Sequence, residues 1–173
     1  MMFYTYPAGV AVVDLLAGPS PTGTSLYYTT YGGGGQVRRI DYAVTPPPAA
    51  TFTTVPPCRL IDTRGSAGPT GAPALAANGT RVFPIAGGCG VPSGAVAVAA
   101  NVTVTGSTVA GSVRIGPAGT TPSLDTVPFH AGQTRANNEV LGLFGTPAGS
   151  VTVLSTNASG TVHLIVDVTG YWE

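Results

Sequence analysis

Residues 95–105, AVAVAANVTVT, alternate between two sets of side chains without interruption. A period of two, with β-branched residues in one set, is typical of a β-strand that covers a core with one face. The stretch carries no stripe of helical period. We therefore predict that it is the central strand of a β-sandwich. The residues predicted to face the core are Val96, Val98, Ala100, Val102 and Val104.

Further short apolar stretches follow the same pattern, with turn residues between them at intervals of roughly 10–15 residues, as in a sandwich or jelly roll. No segment keeps a helical period over three turns. The predicted fold class is all-β, with a β-sandwich or jelly-roll-like domain preceded by an isolated β-hairpin segment. The other strands predicted in the domain are Thr80–Ile85, Gly111–Ile115, Ser123–Phe129, Asn138–Phe144, Ser150–Ser155 and Thr161–Thr169.

The first 45 residues are predicted to form a unit of their own. A strand is expected around Val10–Leu16, and a hairpin is expected in which Leu26–Thr30 pairs with Gln36–Tyr42 across Gly32–Gly35. Glycine supplies the positive φ angles that a tight turn needs. Residues 46–57, PPPAATFTTVPP, are predicted to be a semi-rigid proline-rich linker. The sandwich domain is then expected to span residues 58–173.

Charge is scarce in this chain. Seven arginines balance seven acidic residues, and the sequence contains no lysine. Such a composition gives no electrostatic footprint for nucleic acid or an anionic membrane. No run of about 18 apolar residues predicts a membrane span. A weakly charged β-surface without lysine favours association between chains.

The two cysteines, Cys58 and Cys89, flank a loop-rich stretch. We predict that they form a disulfide, which is durable in an oxidising, extracellular setting; two buried free thiols are the alternative. The N-terminus lacks a basic region, and Pro7 and Asp14 interrupt its apolar stretch, so it does not resemble a signal peptide. Met1 is therefore expected not to be the biological start; another export route and an intracellular chain are the alternatives.

Arg59, Asp62 and Arg64 form the densest charged group in the domain. An arginine fork suits a sugar or a carboxylate ligand. The alternative, which we favour, is a structural ion-pair network with Asp62 between the two arginines.

The sequence predicts no enzyme. His130 and His163 lack neighbours that would complete a metal or nucleophilic site, and nothing places Asp125 and Glu139 at the separation that glycoside hydrolysis requires. Neither a serine nucleophile elbow nor a phosphate or calcium loop is present. We predict no catalytic residue, cofactor or metal.

Residues 12–42, VVDLLAGPSPTGTSLYYTTYGGGGQVRRIDY, resemble the last β-propeller blade of the glucose/sorbosone dehydrogenase family. That family ends in a similar pattern of Val-Asp-Leu, a glycine-rich turn, Leu-Tyr-Tyr and Arg-Arg-Ile. The resemblance covers residues 10–42 and implies a single blade. Because a propeller needs several blades around an axis, it implies no quinone or sugar-oxidising site in this chain.

Residues 56–173 resemble a family of secreted bacterial modules with an "RLLDTR" opening. The resemblance implies an extracellular β-rich module, often appended to secreted enzymes or surface proteins, and it implies no defined biochemical role. The stretches that carry it are PCRLIDTR (57–64), CGVP (89–92), NVTVT (101–105), AGQTRAN (131–137) and DVTGYW (167–172).

Two functions are consistent with these observations. The first is a non-enzymatic structural protein, extracellular or on the cell surface, whose N-terminal hairpin adds to a neighbouring copy and builds a filament. The second is a carbohydrate- or cell-wall-binding appendage, which predicts an exposed aromatic strip and a polysaccharide partner. Trp172 is one candidate for stacking on sugars. The predicted assembly interface consists of Tyr4, Tyr6, Tyr27, Tyr28, Tyr31 and Tyr42.

Overall fold

The computed structural model of the chain describes residues 11–20, 23–31, 35–41 and 49–173. The chain divides into two compact units, Met1–Ala49 and Ala50–Glu173. The described residues form strands and turns and contain no helix. The predicted all-β class is therefore confirmed.

The first unit holds a three-stranded antiparallel sheet. Its strands are β1 (Ala11–Ser20), β2 (Gly23–Tyr31) and β3 (Gln36–Asp41), in the order β1-β2-β3. Cα pairing of Leu26 with Ile40 and of Thr30 with Gln36 sets the register of β2 on β3. The predicted hairpin is confirmed over these strands, whereas the tip of its turn and Tyr42 lie outside the described residues.

The second unit is a sandwich of two antiparallel sheets. One sheet has the order β10-β7-β12-β4, with the short β5 also paired to β12, and the other has the order β6-β11-β8-β9. Its strands are β4 (Phe52–Asp62), β5 (Leu75–Ala76), β6 (Thr80–Pro84), β7 (Ala97–Thr105), β8 (Gly111–Pro117), β9 (Val127–Phe129), β10 (Arg135–Gly142), β11 (Ser150–Ser155) and β12 (Thr161–Trp172).

The stretch predicted as the central strand is β7, which lies in the interior of its sheet between β10 and β12. Burial alternates strictly along β7. Val98, Ala100, Val102 and Val104 pack into the core with the apolar residues of the second sheet, as predicted. Val96 is exposed, contrary to the prediction, because the strand begins only at Ala97.

The predicted linker of residues 46–57 is wrong at its C-terminal end, since β4 already begins at Phe52. β4 is an edge strand, and its register on β12 jumps from Cys58 opposite Val168 to Thr54 opposite Gly170. Residues 55–57 therefore bulge opposite Thr169. Proline is tolerated at an edge and in a bulge because neither position needs its missing N–H.

Several other strand bounds differ from the prediction, and three of the differences have a clear physical reason. β9 starts only at Val127, since the preceding Asp125 is held by side chains: its carboxylate accepts hydrogen bonds from Ser112 and Arg114. β10 starts three residues before the predicted Asn138, at polar, exposed positions that carry no apolar signal. β12 continues to Trp172 because an extra residue near Thr169 breaks the alternation without ending the strand.

The predicted disulfide is present. Cys58 of β4 is bonded to Cys89 in the loop between β6 and β7, and the two are 31 residues apart in the sequence. The bond ties the edge strand β4 to that loop. A disulfide fits an oxidising setting.

Replacing both cysteines with alanine is expected to lower the free energy of unfolding by about 3–4 kcal/mol, because closing a loop of this length restricts the unfolded chain. Guanidinium denaturation followed by the fluorescence of Trp172, the sole tryptophan, measures the change. Wild-type protein under reducing conditions serves as the control and should unfold at the same midpoint as the variant. An unchanged midpoint in both would contradict the expectation.

Candidate ligand-binding face

The sheet β10-β7-β12-β4 has one face in the core and one face outward, which we call the outer face. Residues directly paired across antiparallel strands share a face. The pairings place three rows of side chains on the outer face, each crossing all four strands. These rows are Gly142–Ala97–Trp172–Phe52, Val140–Ala99–Gly170–Thr54 and Asn138–Asn101–Asp167–Arg59.

Aromatic rings lie at both ends of the first row. The rings of Phe52 and Trp172 have centroids 4.6 Å apart, and Phe52 lies over Gly170, where an added Cβ would overlap its ring. At the opposite edge of the same face, Phe144 lies over Gly142 of β10 in the same way. Phe52 is 45% exposed and Phe144 is 77% exposed. We call Phe52, Trp172 and Phe144 the aromatic strip.

Small side chains form the floor beside the aromatic strip. Ala97 and Ala99 occupy the middle of the first two rows. An open depression of ≈ 460 Å³ lies over Ala99, bordered by Asn138, Val140 and Thr169. A second depression of ≈ 350 Å³ lies next to Phe144 at the β10 edge, where Ile115, Gly116 and Pro117 of the other sheet also line it. The outer face thus offers an open depression beside exposed rings.

The third row is polar along its whole length. Asn138, Asn101, Asp167 and Arg59 follow one another on the four strands. The amide of Asn101 donates a hydrogen bond of 3.3 Å to the hydroxyl of Thr103. The row runs parallel to the aromatic strip, so apolar and polar contacts are offered side by side.

The predicted network of Arg59, Asp62 and Arg64 lies next to this row. Arg64 donates two side-chain hydrogen bonds to the Asp62 carboxylate, of 2.9 and 2.7 Å, and Arg59 approaches the same carboxylate at 3.6 Å. Arg59 also makes a bidentate pair with Asp167, at 2.8 and 3.1 Å. Asp167 lies 108 residues away in the sequence, and only the pairing of β4 with β12 brings the two together.

Asp62 is the most strongly perturbed carboxylate of this network. Its pKa is lowered to about 2, chiefly because the Arg64 side chain donates to it, with a further contribution from the Arg64 backbone N–H. The pKa of Arg59 is raised, first by its hydrogen bond to Asp167. Both shifts favour the charged forms of Asp62 and Arg59.

The two histidines do not meet. His163 Nδ1 and the Thr63 hydroxyl are 3.2 Å apart in a hydrogen bond, and Thr63 also accepts from the Leu164 N–H. His130 lies in the loop after β9, where its backbone N–H donates to Gln133. Asp125 is paired with Arg114 at 2.6 Å. In the described part of the chain no cluster of three metal-ligating side chains occurs.

The predicted tyrosine interface falls largely outside the described side chains. Tyr4, Tyr6 and Tyr42 are not among the described residues, and for Tyr31 only the backbone is described. Tyr27 is half-buried and Tyr28 is buried. Together with Leu16, Thr29 and Val37 they line a small depression of ≈ 120 Å³ in the first unit.

Sequence reasoning missed Phe144 as a surface ring and assigned Phe52 to a linker. A signal was present: Gly142 precedes Phe144 by two residues, and Gly170 precedes Trp172 by two. Glycine two positions before an aromatic residue puts a bare backbone and a ring on the same face of a strand.

Comparison of the chain with protein-family models, with curated proteins and with solved structures finds no match. Over the described residues, no helix is present that would span a membrane.

Asp62→Asn is expected to reduce stability at pH 7 by about 1 kcal/mol, because Arg64 loses its carboxylate partner. The folded pKa of Asp62, about 2, lies below its ordinary value of 3.8. Its contribution is therefore complete above about pH 4 and is lost as the pH falls towards 2. Urea denaturation at pH 7, 4 and 2.5 should show the difference between wild type and variant shrinking in that window.

Glu139→Gln is the matched control, since Glu139 makes no ion pair among the described residues. A difference between wild type and Asp62→Asn that is the same at pH 7 and 2.5 would contradict the assigned role of Asp62.

Proposed function

We propose that the second unit is a non-enzymatic, extracellular carbohydrate-binding module that holds a polysaccharide, such as a cell-wall glycan, on its outer face. The observation that carries this proposal is the aromatic strip. Exposed rings on an otherwise regular sheet face are costly in water, and contiguous apolar surface of this kind marks interaction sites.

Sugar chemistry matches the arrangement of the outer face. A pyranose ring has C–H faces that stack on aromatic rings and a rim of hydroxyl groups that need hydrogen-bond partners. The aromatic strip supplies the first contact, and the polar row of Asn138, Asn101, Asp167 and Arg59 supplies the second. The small floor of Ala97 and Ala99 leaves room for a ring between them.

Two further observations support an extracellular setting. The Cys58–Cys89 disulfide fits an oxidising compartment. The resemblance of residues 56–173 to secreted bacterial modules points in the same direction.

Trp172→Ala is expected to weaken polysaccharide binding by about tenfold, because an aromatic contact contributes roughly 0.5–1.5 kcal/mol beyond its area burial, and loss of the buried area adds to this. Retention of the purified protein on cellulose, chitin, xylan and peptidoglycan measures the effect. Phe144→Ala provides a second variant that does not endanger folding, since its ring is mostly exposed.

Leu124→Ala is the control, because Leu124 is 82% exposed in the loop between β8 and β9, away from the outer face. Wild-type protein that is retained by no glycan would overturn the proposal. Equal retention of wild type, Trp172→Ala and Phe144→Ala would exclude the outer face as the site.

The second candidate is self-assembly through the first unit, and a specific observation favours it. Leu16 is 67% exposed and Val37 is 73% exposed, both beside Tyr27 on one face of the three described strands. Exposed apolar side chains that lie side by side on a sheet face mark a surface that another chain can cover. A second copy of the chain would supply that surface, and repeated contacts would give a filament.

The double change Leu16→Lys, Val37→Lys is expected to shift the protein towards monomer, because two charges at these positions would have to be buried in the contact. Size-exclusion chromatography with light scattering and negative-stain electron microscopy read out the state of association. Leu124→Lys is the matched control. Filaments that persist in the double variant, or a wild-type protein that is monomeric at high concentration, would refute this second function.

A further inference from the structure

We infer that the glycan is a linear, uncharged polysaccharide chain that lies across the four strands along the aromatic strip. This inference rests on the proposed carbohydrate-binding function and adds the class of ligand and its direction. It is carried by two independent features of the outer face, the spacing of the rings and the pairing of the charges.

The spacing of the rings excludes a single sugar unit as the complete ligand. Strands are about 4.8 Å apart, so the backbone of Gly142 under Phe144 is about 10 Å from Trp172 and about 14 Å from Phe52. One sugar ring stacks on Trp172 or on Phe144 but not on both. A chain that runs across the strands contacts the whole aromatic strip.

The polar row fixes the same direction. The polar row runs parallel to the first row, and the row Val140–Ala99–Gly170–Thr54 lies between them. The polar row consists of Asn138, Asn101, Asp167 and Arg59. A polymer stacked along the aromatic strip therefore has one edge of its hydroxyl groups turned towards the polar row, which lies about 13 Å along the strands from the first row. A polysaccharide that ran parallel to the strands would contact only one or two residues of each row.

The charges of the outer face are already paired with each other. Arg59 makes its bidentate contact with Asp167, and Arg64 makes its contact with Asp62. An anionic sugar would have to compete with a carboxylate for each guanidinium. Arg135, at the far end of β10, pairs with Val104, whose side chain faces the core, so its register position is not on the outer face.

One carboxylate beside the site is unpaired within the described residues. Glu139 borders both depressions from the edge strand β10 and makes no ion pair there, although its pairing with Ala100 gives it, like Arg135, a register position that is not on the outer face. A uronic acid or a sulfated sugar held over Ala99 would be repelled by this negative charge, whereas a neutral sugar would not. The face therefore selects against anionic polymers.

The first test measures chain length. Titration calorimetry with cello-, xylo- and N-acetylated chito-oligosaccharides of one to six units is expected to show affinity that rises by about tenfold or more before levelling off, as the second ring becomes engaged. Phe144→Ala should abolish that gain, because the variant keeps only the rings at the Trp172 end of the aromatic strip. Leu124→Ala should behave as wild type.

The second test measures charge on matched backbones. Affinity electrophoresis compares hydroxyethyl cellulose with carboxymethyl cellulose, and neutral arabinoxylan with glucuronoxylan. We expect the neutral polymer of each pair to slow the migration of the protein more than the anionic polymer does, and we expect this retardation not to change with salt. Glu139→Gln should bring the anionic member closer to the neutral one.

The outcomes separate the two levels of the proposal. Binding of single sugars as tightly as of hexamers, or salt-sensitive preference for the anionic polymers, would overturn this inference and leave the carbohydrate-binding function standing. Absence of binding to any oligosaccharide or polymer of either charge would overturn both.

Discussion

The pairing of β7 with β12 is the interaction on which the second unit depends. Both strands lie in the interior of the larger sheet, and β12 alone carries β7 on one side and β4 and β5 on the other. Their valines fill one core with the residues of the second sheet, including Phe83 and Val113. Because this pairing fixes the register, it also decides which side chains stand together on the opposite face. The stability of the second unit and the arrangement of its outer face therefore both depend on the pairing of β7 with β12.

The aromatic strip shows how a sheet exposes large rings without losing regularity. Phe52 lies on Gly170 and Phe144 lies on Gly142, so each ring rests on backbone that carries no side chain. Any Cβ at those glycines would lift or displace the ring. A ring placed this way buries one side on the sheet and offers the other to solvent. Through these ring–glycine contacts the edge strands β4 and β10 also form part of the outer face, although neither strand contributes many residues to the core.

The sequence predicts what depends on local pattern. Alternation in residues 95–105 identifies β7, and the short spacing of Arg59, Asp62 and Arg64 identifies their network. What it does not reveal is the pairing of distant segments: Asp167 reaches Arg59 only through the alignment of β12 on β4. Pro56 and Pro57 led to the wrong prediction of a linker, because the usual incompatibility of proline with strands does not apply at a bulge in an edge strand. Phe144 was hidden because an apolar residue near a strand end is ordinarily assigned to the core.

The irregularity at Thr169 has a consequence that reaches beyond its own geometry. Val168 faces the core, and strict alternation from there would turn Trp172 inward and Tyr171 outward; the one extra residue reverses both. The side chains that reach the outer face thus depend on the number of residues in β12 as well as on their types. Substitutions change which side chains the outer face presents, but removal of the one extra residue at Thr169 would turn Trp172 inward and Tyr171 outward. The number of residues in this part of β12 is therefore more tightly constrained than the kinds of side chain on its outer face.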